Sequence, residues 1–435
     1  MPYSEGFSVL HELPEIFDAA VTAVMPQTMM RRAVTLEHNV LHVGTHKLDL
    51  ERYERLYLCG AGKAALPMAE VCEALLHSRI AGGVVVSPEA ETPLHYATYM
   101  HSTHPIPSQE SIDAAEALTA QFRAAGKNDL ILFLLSGGAS ALIEKPLPPV
   151  TLAETAATTK MLLEGGCTIG ETNAVRKHLS MLKGGRLARM TEATVVVLVI
   201  SDVIGDDLET IGSGPLYCDG STYAEAAAML REKGLLSRLP ASVRQVLEQG
   251  ERGVLAETPK TPPSHVTHLL LATNRQALEA AAGYAVDAGL KVHLEHKPIR
   301  GDVAEAAARF CGIFEALPPR ALLLCGGETT VTVGGSGRGG RNQHFALLCL
   351  QRLADRFAYD IICAGTDGID GNSDAAGARI SDRLYAECTP GEMARAAEAF
   401  DSNGFFERKG AAIRTGYTGT NVMDVVIAYK GDDNG

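Results

Sequence analysis

The chain contains no tryptophan, and only 5% of its residues are aromatic. A stacking platform for bases or sugar rings is therefore not expected. A basic excess is missing too: 39 Lys and Arg stand against 52 Asp and Glu, a formal net charge of −13 at pH 7. That argues against a nucleic-acid or anionic-membrane partner, although a local basic loop can still hold a small anion. The nine cysteines include no C-x-x-C pair, and Cys59, Cys325 and Cys363 sit inside apolar runs. They read as buried free thiols of a reducing compartment, not as a disulfide framework. No apolar run approaches the length of a membrane span, the longest lying near residues 195–200. The N-terminus lacks a basic start followed by an apolar core, so a cytoplasmic protein without a secretory signal is expected.

Glycine, by contrast, is plentiful, with 43 in 435 residues, and the length suits two domains. Residues 7–35 carry helical patterning, with Pro14 and Pro26 as natural interruptions. Strands are expected at 55–59, 83–86, 98–101, 130–135 and 195–200, with helices at 63–76, 108–124 and 152–163 between them. This alternation, with strands apolar on both faces, predicts an α/β doubly wound domain. Helical patterning over 221–252 gives way to the Pro/Thr-rich stretch 257–264, which sets a boundary between domains 1–260 and 261–435. The second region reads as a smaller α/β domain with strands at 269–272, 291–294, 322–325, 329–333, 360–363 and 425–429 and helices at 275–288 and 303–310. Nearly every strand ends in Gly, Ser, Thr or Asp, and ligands of open α/β sheets bind beyond those ends. An active site in an interdomain cleft is the expectation.

Several strand ends carry chemistry. Gly326 to Asn342 couples a strand end, Glu328, a Gly- and Arg-rich loop with Arg338 and Arg341, and the start of a helix. Amides and forked donors of this kind suit an anion, with Gly340 and Asn342 at the helix entrance; a solvated hairpin tip is the bland alternative. Gly60-Ala-Gly62-Lys63-Ala-Ala65 fits the loose G-x-G-x-x-A dinucleotide pattern. However, Ser87 and Pro88 stand where a ribose-binding acid is usual, and no Walker A spacing is present. Ser136-Gly137-Gly138-Ala139-Ser140 offers amides and hydroxyls but no G-x-S-x-G elbow, so an anion nest is preferred to a hydrolase. The stretch 173–186 reads as a basic helix on which Arg176 and Lys183 lie together. Asp202 and Asp367 follow apolar strands and are the candidate Mg2+ ligands or bases, since Mg2+ takes one or two carboxylates beside substrate phosphates. The histidines lack zinc spacing; His104 alone is placed to line a cleft.

Taken together, these segments resemble the class II glycerate 2-kinase family, whose C-terminal part is the MOFRL domain. The resemblance rests on GAGKAA at 60–65, THPIP at 103–107, SGGASAL at 136–142, NAVRKHLSMLKGGRLA at 173–188 and SDVIGDDLETIGSGP at 201–215. It continues through GGETTV at 326–331, GRGGRNQ at 337–343, GTDGIDG at 365–371 and TGTNVMD at 418–424, nearly end to end. It implies a Rossmann-like N-terminal domain and ATP-dependent phosphorylation of D-glycerate to 2-phosphoglycerate with Mg2+. Lys63 and Arg341 match the family's catalytic Lys and Arg, with Asp202 as a further catalytic group. Gly60, Gly62, Ser136, Gly137, Gly138, Arg176, Lys183, Glu328, Gly340 and Asn342 are the expected substrate and phosphate contacts. His344, Cys325 and Asp302 depart from the family's Glu, Ser and Glu. Because relatives also carry the label hydroxypyruvate or tartronate reductase, an NAD(P)H-dependent reductase is the alternative, and a non-catalytic metabolite sensor a third. Small-molecule partners are expected, without nucleic acid or membrane, and a homo-oligomer is left open.

Overall fold

The computed structural model describes residues 6–88 and 93–432, with side chains from Glu12 onward. One compact unit spans Met30–Leu271; a second joins the described residues up to Met29 to those from Ala272 onward. Across the sheet of the Met30–Leu271 unit the strands are Val266–Ala272, Thr194–Ile200, Leu130–Leu135, Leu56–Ala61, Val84–Ser87 and Thr98–His101. The short strand Ile80–Gly82 also pairs with Leu56–Ala61. From Thr194–Ile200 to Thr98–His101 every pairing is parallel. A parallel sheet covered on both faces requires apolar residues at consecutive positions. Leu130–Leu135 is buried throughout, and Thr194–Ile200 is buried at all but its first residue. Helices start where the sequence supplies capping boxes, as at Thr151/Glu154, Thr168/Glu171 and Thr222/Glu225.

Counted along the chain, the six main strands lie in the order third, second, first, fourth, fifth, sixth. The winding therefore reverses where Leu56–Ala61 neighbours Leu130–Leu135. Ligands of open α/β sheets bind beyond the carboxyl ends at such a reversal. The turns that leave these two strands are the two glycine turns of the sequence.

The second unit has a mixed sheet, ordered Lys291–Leu294, Ala321–Thr330, Asp424–Lys430, Tyr359–Gly365, Gly377–Ser381 and Ala412–Ile413, with Ile299–Asp302 also paired to Ala321–Thr330. Its last strand, Asp424–Lys430, inserts antiparallel between Ala321–Thr330 and Tyr359–Gly365. That reversal of direction brings the first residue of the inserted strand, Asp424, opposite Gly327 and Gly365 near the carboxyl ends of its neighbours. Beneath the sheet, Phe310 meets Phe314 and Phe345, and Phe314 meets Phe357, with ring centroids 5.4–5.8 Å apart.

The structure departs from the sequence reading in several places. Pro14 does not interrupt the helix Gly6–Val24, whereas Pro26 opens the next helix, Pro26–Ala33. Burial of Leu13, Ile16, Phe17 and Ala20 outweighs the hydrogen bond that an internal proline removes. The Pro/Thr-rich stretch does not separate the units, because the strand after it, Val266–Ala272, joins the first sheet beside Thr194–Ile200. Asp219 pins that stretch, donating its amide to the Pro259 carbonyl at 2.8 Å and accepting from Thr258 Oγ1 at 2.9 Å. Residues 321–330 form one strand instead of two, since Gly326 and Gly327 stay paired with Val425 and Asp424. The basic helix ends at His178, where Ser180 turns back to bridge Pro146. An antiparallel meander of Val34–Glu37, Val40–Val43 and His46–Asp49 has no counterpart in the sequence reading.

Candidate active site

At the winding reversal the two glycine turns interlock. The Gly62 amide donates to the Val86 carbonyl at 3.2 Å, the Lys63 amide to that of Gly137 at 2.9 Å, and the Ala64 amide to Ser136 Oγ at 3.0 Å. A Cβ on Gly62, whose φ is +145°, would fall 2.1 Å from Ser136 Oγ, and one on Gly60 would fall 2.8 Å from Leu134. Gly60, Gly62 and Ser136 thus serve close approach between strands, and the amides of the first turn are taken up inside the protein. What this turn presents is the Lys63 side chain, whose ammonium enters no ion pair among the described residues.

The second turn has the opposite character. The amides of Gly137, Gly138, Ala139 and Ser140 find no protein acceptor among the described residues. The Asp202 carboxylate, just past Thr194–Ile200, lies against Gly137, where a Cβ would sit 1.9 Å from Oδ2. On the far side, a Cβ on Gly138 would sit 3.1 Å from the His104 ring and 3.3 Å from Lys63 Cγ. A cation, a carboxylate, an imidazole and unengaged amides therefore converge on two positions that tolerate only glycine. Desolvation pushes the Asp202 carboxyl above the usual range, against the pull of its own amide and of Lys63. Desolvation, and then Lys63, lowers His104 to about 4, so its ring is neutral at pH 7.

Arg176 and Lys183 do not share a helix face. Arg176, near the end of Ile169–His178, donates through Nη2 to Ser140 Oγ at 2.7 Å. Lys183 lies beyond the helix, 1% exposed and paired with the equally buried Glu144.

In the second unit, Arg341 is the first residue of the helix Arg341–Leu353. Its Nε and Nη2 donate to the two oxygens of Asp424 at 2.6 and 3.0 Å, and Nη1 lies 2.7 Å from Glu328 Oε1. The guanidinium is thus bracketed by two carboxylates. The anion expected at the helix entrance is a residue of the chain itself: Asp370 accepts the amides of Asn342 and Gln343 at 2.9 and 2.8 Å. Asn342 Nδ2 also donates to Asp424 at 2.9 Å, and a Cβ on Gly365 would lie 3.1 Å from Asp367 and 3.4 Å from Asp424. Adjacent strand ends therefore gather Glu328 and Asp424 around one arginine, with Asp367 close to Gly365. The Gly-rich loop is not an open cradle: the amides of Gly337, Arg338 and Gly339 donate to Ala399, Asp401 and Asn372. A Cβ on Gly340 would fall 2.3 Å from Asp370 Oδ1. No group of three or more His, Cys, Asp or Glu arranged to hold a metal occurs among the described residues.

Sequence reasoning passed over Asp424 and Glu144 as site residues and did not single out Ser140 or Asp370 within the nest and acidic loop it named. Asp424 had a usable signal, because it opens an apolar strand just as Asp202 closes one. Asn274 was missed as well; its Nδ2 donates to the Val422 and Asp424 carbonyls at 2.8 and 2.9 Å, and its side chain fills the space over Gly326. The three departures have local explanations. Cys325 is buried in its strand, His344 stacks on Phe400 at 5.1 Å, and Asp302 caps the helix Val303–Glu315 through the amides of Ala304 and Glu305.

A family described as a domain of unknown function, DUF4147, matches residues 12–248, and the MOFRL family matches residues 321–424. A glycerate 2-kinase of Pyrococcus horikoshii is 34% identical over 420 residues, covering 94% of each chain. A protein of Agrobacterium vitis, provisionally named hydroxypyruvate reductase, is 38% identical over 426 residues, 95% of this chain and 92% of its own. The crystal structure of a glycerate kinase from Thermotoga maritima superposes with a TM-score of 0.84 at 33% identity, covering 98% of this chain and all of that one. Matching domains in the same order, end-to-end similarity and a shared fold agree: the chain belongs to the class II glycerate 2-kinase family.

Proposed function

We propose that this protein transfers the γ-phosphoryl group of ATP to the 2-hydroxyl of D-glycerate, giving 2-phosphoglycerate and ADP, with Mg2+. The observation that carries the reading is the Lys63 ammonium, which enters no ion pair among the described residues, beside amides of Gly137 to Ser140 that have no acceptor among them. Phosphoryl transfer depends on positioning and on stabilising charge more than on covalent chemistry, and such a turn at the switch point of a Rossmann-like sheet supplies both. The names of the P. horikoshii and T. maritima relatives supply the substrate class.

Asp202 or Asp367 is the carboxylate we assign to Mg2+, an ion that takes only one or two such ligands together with phosphate oxygens and therefore needs no three-residue cage. When bound, Mg2+ would neutralise phosphate charge. Asp202, if it does not hold the ion, is our candidate to accept the hydroxyl proton; burial pushes its carboxyl upward, the direction that favours proton uptake. Gly60, Gly62 and Ser136 act by holding the turns together, and Gly137 and Gly138 by exposing amides. Arg341 acts by orienting Asp424 and Glu328, with Asn342 and Gly340 fixing Asp424 and Asp370 around it.

The reductase alternative has less support. A dinucleotide turn aims its amides at a pyrophosphate, whereas the amides of Gly62, Lys63 and Ala64 donate to Val86, Gly137 and Ser136. The test is ADP release with D-glycerate by the wild type and by Lys63→Met. The variant should keep its far-UV circular dichroism and lose about 10²–10³-fold in kcat, as expected when a charge-stabilising donor is removed. Near-wild-type turnover in the variant would refute the assignment.

A further inference from the structure

Next to the second glycine turn, a buried ion pair and a half-buried arginine form a charge group one anion short among the described residues. Glu144 and Lys183, each 1% exposed, pair with one another. Arg176 lies in the field of Glu144 and enters no ion pair among the described residues. Two cations facing one carboxylate leave one positive charge uncompensated. Within this group, Arg176 Nε and Glu144 Oε1 are buried atoms without a partner among the described residues. Desolvated polar groups left unmade are costly, so a guanidinium held with an open donor marks a place for an arriving acceptor. Arg176 already engages Ser140 Oγ through Nη2, and Ser140 Oγ lies 3.0 Å from Ser213 Oγ. Ser140 closes the run of amides that, among the described residues, find no acceptor from Gly137 onward, so a group held by Arg176 borders the turn that Lys63 and Asp202 flank.

We propose that Arg176 and Ser140 form the subsite for the carboxylate of a small 2-hydroxy acid, and that the buried Glu144–Lys183 pair positions the guanidinium. A guanidinium fork matches a carboxylate better than a hydroxyl, and a monoanion completes the charge of the group. The identity of the acid rests on the kinase reading; the preference for a carboxylate does not.

The experiment measures ligand-induced thermal stabilisation without nucleotide, using D-glycerate, tartronate and the neutral analogue glycerol, and then steady-state kinetics. The wild type should be stabilised by both acids and not by glycerol at equal concentration. Arg176→Gln should lose that stabilisation and show KM for D-glycerate raised about 10–100-fold, with KM for ATP changed less than about threefold. Arg176→Lys, which keeps the charge but not the fork, should fall between the two. Equal stabilisation by glycerol, or an unchanged KM for D-glycerate in Arg176→Gln, would overturn the subsite. Should Arg176→Gln fail to fold, Ser140→Ala decides: weaker acid binding supports the subsite and unaltered binding refutes it. A wild type stabilised by the acids that releases no ADP would sink the kinase reading alone.

Discussion

Asp370, only 1% exposed, accepts the Asn342 and Gln343 amides through its two oxygens. Burial raises its pKa to about 7, against the opposing pull of those amides, while Asp424 raises it further and Arg341 lowers it. An unfolded Asp titrates near about 3.9. Between about pH 4 and 7 the folded chain therefore holds a proton that the unfolded chain has released, so stability falls as pH rises through that window and levels above it. Urea denaturation from pH 4 to 8 should record this fall. In Asp370→Asn the same slope should be largely gone, on a baseline lower by about 1–3 kcal/mol because a buried helix cap is impaired. A wild type that gains stability relative to the variant across that range would contradict the assignment. Arg341 makes the related point that a catalytic-looking arginine can already be committed, here to Asp424 and Glu328.

At the scale of elements, Gly339 and Gly340 before Arg341 lie tightly against neighbouring chain. A Cβ on Gly340 would overlap Asp370 Oδ1 at 2.3 Å and the backbone of residues 370 and 371 at 2.4 Å. Gly340→Ala should lower stability by about 1–3 kcal/mol in denaturant titrations, in the manner of an overpacked core. An unchanged midpoint would show that the loop yields. The same distinction explains what the sequence made legible. Apolar runs such as Leu130–Leu135 and Thr194–Ile200, buried on both faces, declare themselves as parallel strands, and Thr-x-x-Glu boxes declare helix starts. Lys63, the glycine turns and Asp202 were visible because each directly follows such a run. The acidic group around Arg341 was not, because it depends on the antiparallel insertion of Asp424–Lys430 between strands far away in sequence. The pairing of Glu144 with Lys183 was equally hidden, because it needs the chain to leave the helix after His178. Whether a glycine turn offers its amides or consumes them also escapes a motif: the first turn consumes them, and among the described residues the second leaves them open.

At the scale of the whole molecule, the net charge of −13 conceals two local groups of opposite sign. One unit gathers Lys63, Arg176 and amides without an acceptor among the described residues; the other gathers Glu328 and Asp424 around a single arginine. The relatives match over both units, so the activity is expected of the entire chain. The central claim is a phosphoryl transfer to the 2-hydroxyl of D-glycerate, and the most direct test identifies the product. Incubation with D-glycerate, ATP and Mg2+ should give ADP and 2-phosphoglycerate in equal amounts by phosphorus NMR, with no nicotinamide cofactor required. Rapid oxidation of NADH by hydroxypyruvate without ATP, and no phosphorylated glycerate in the first mixture, would contradict it.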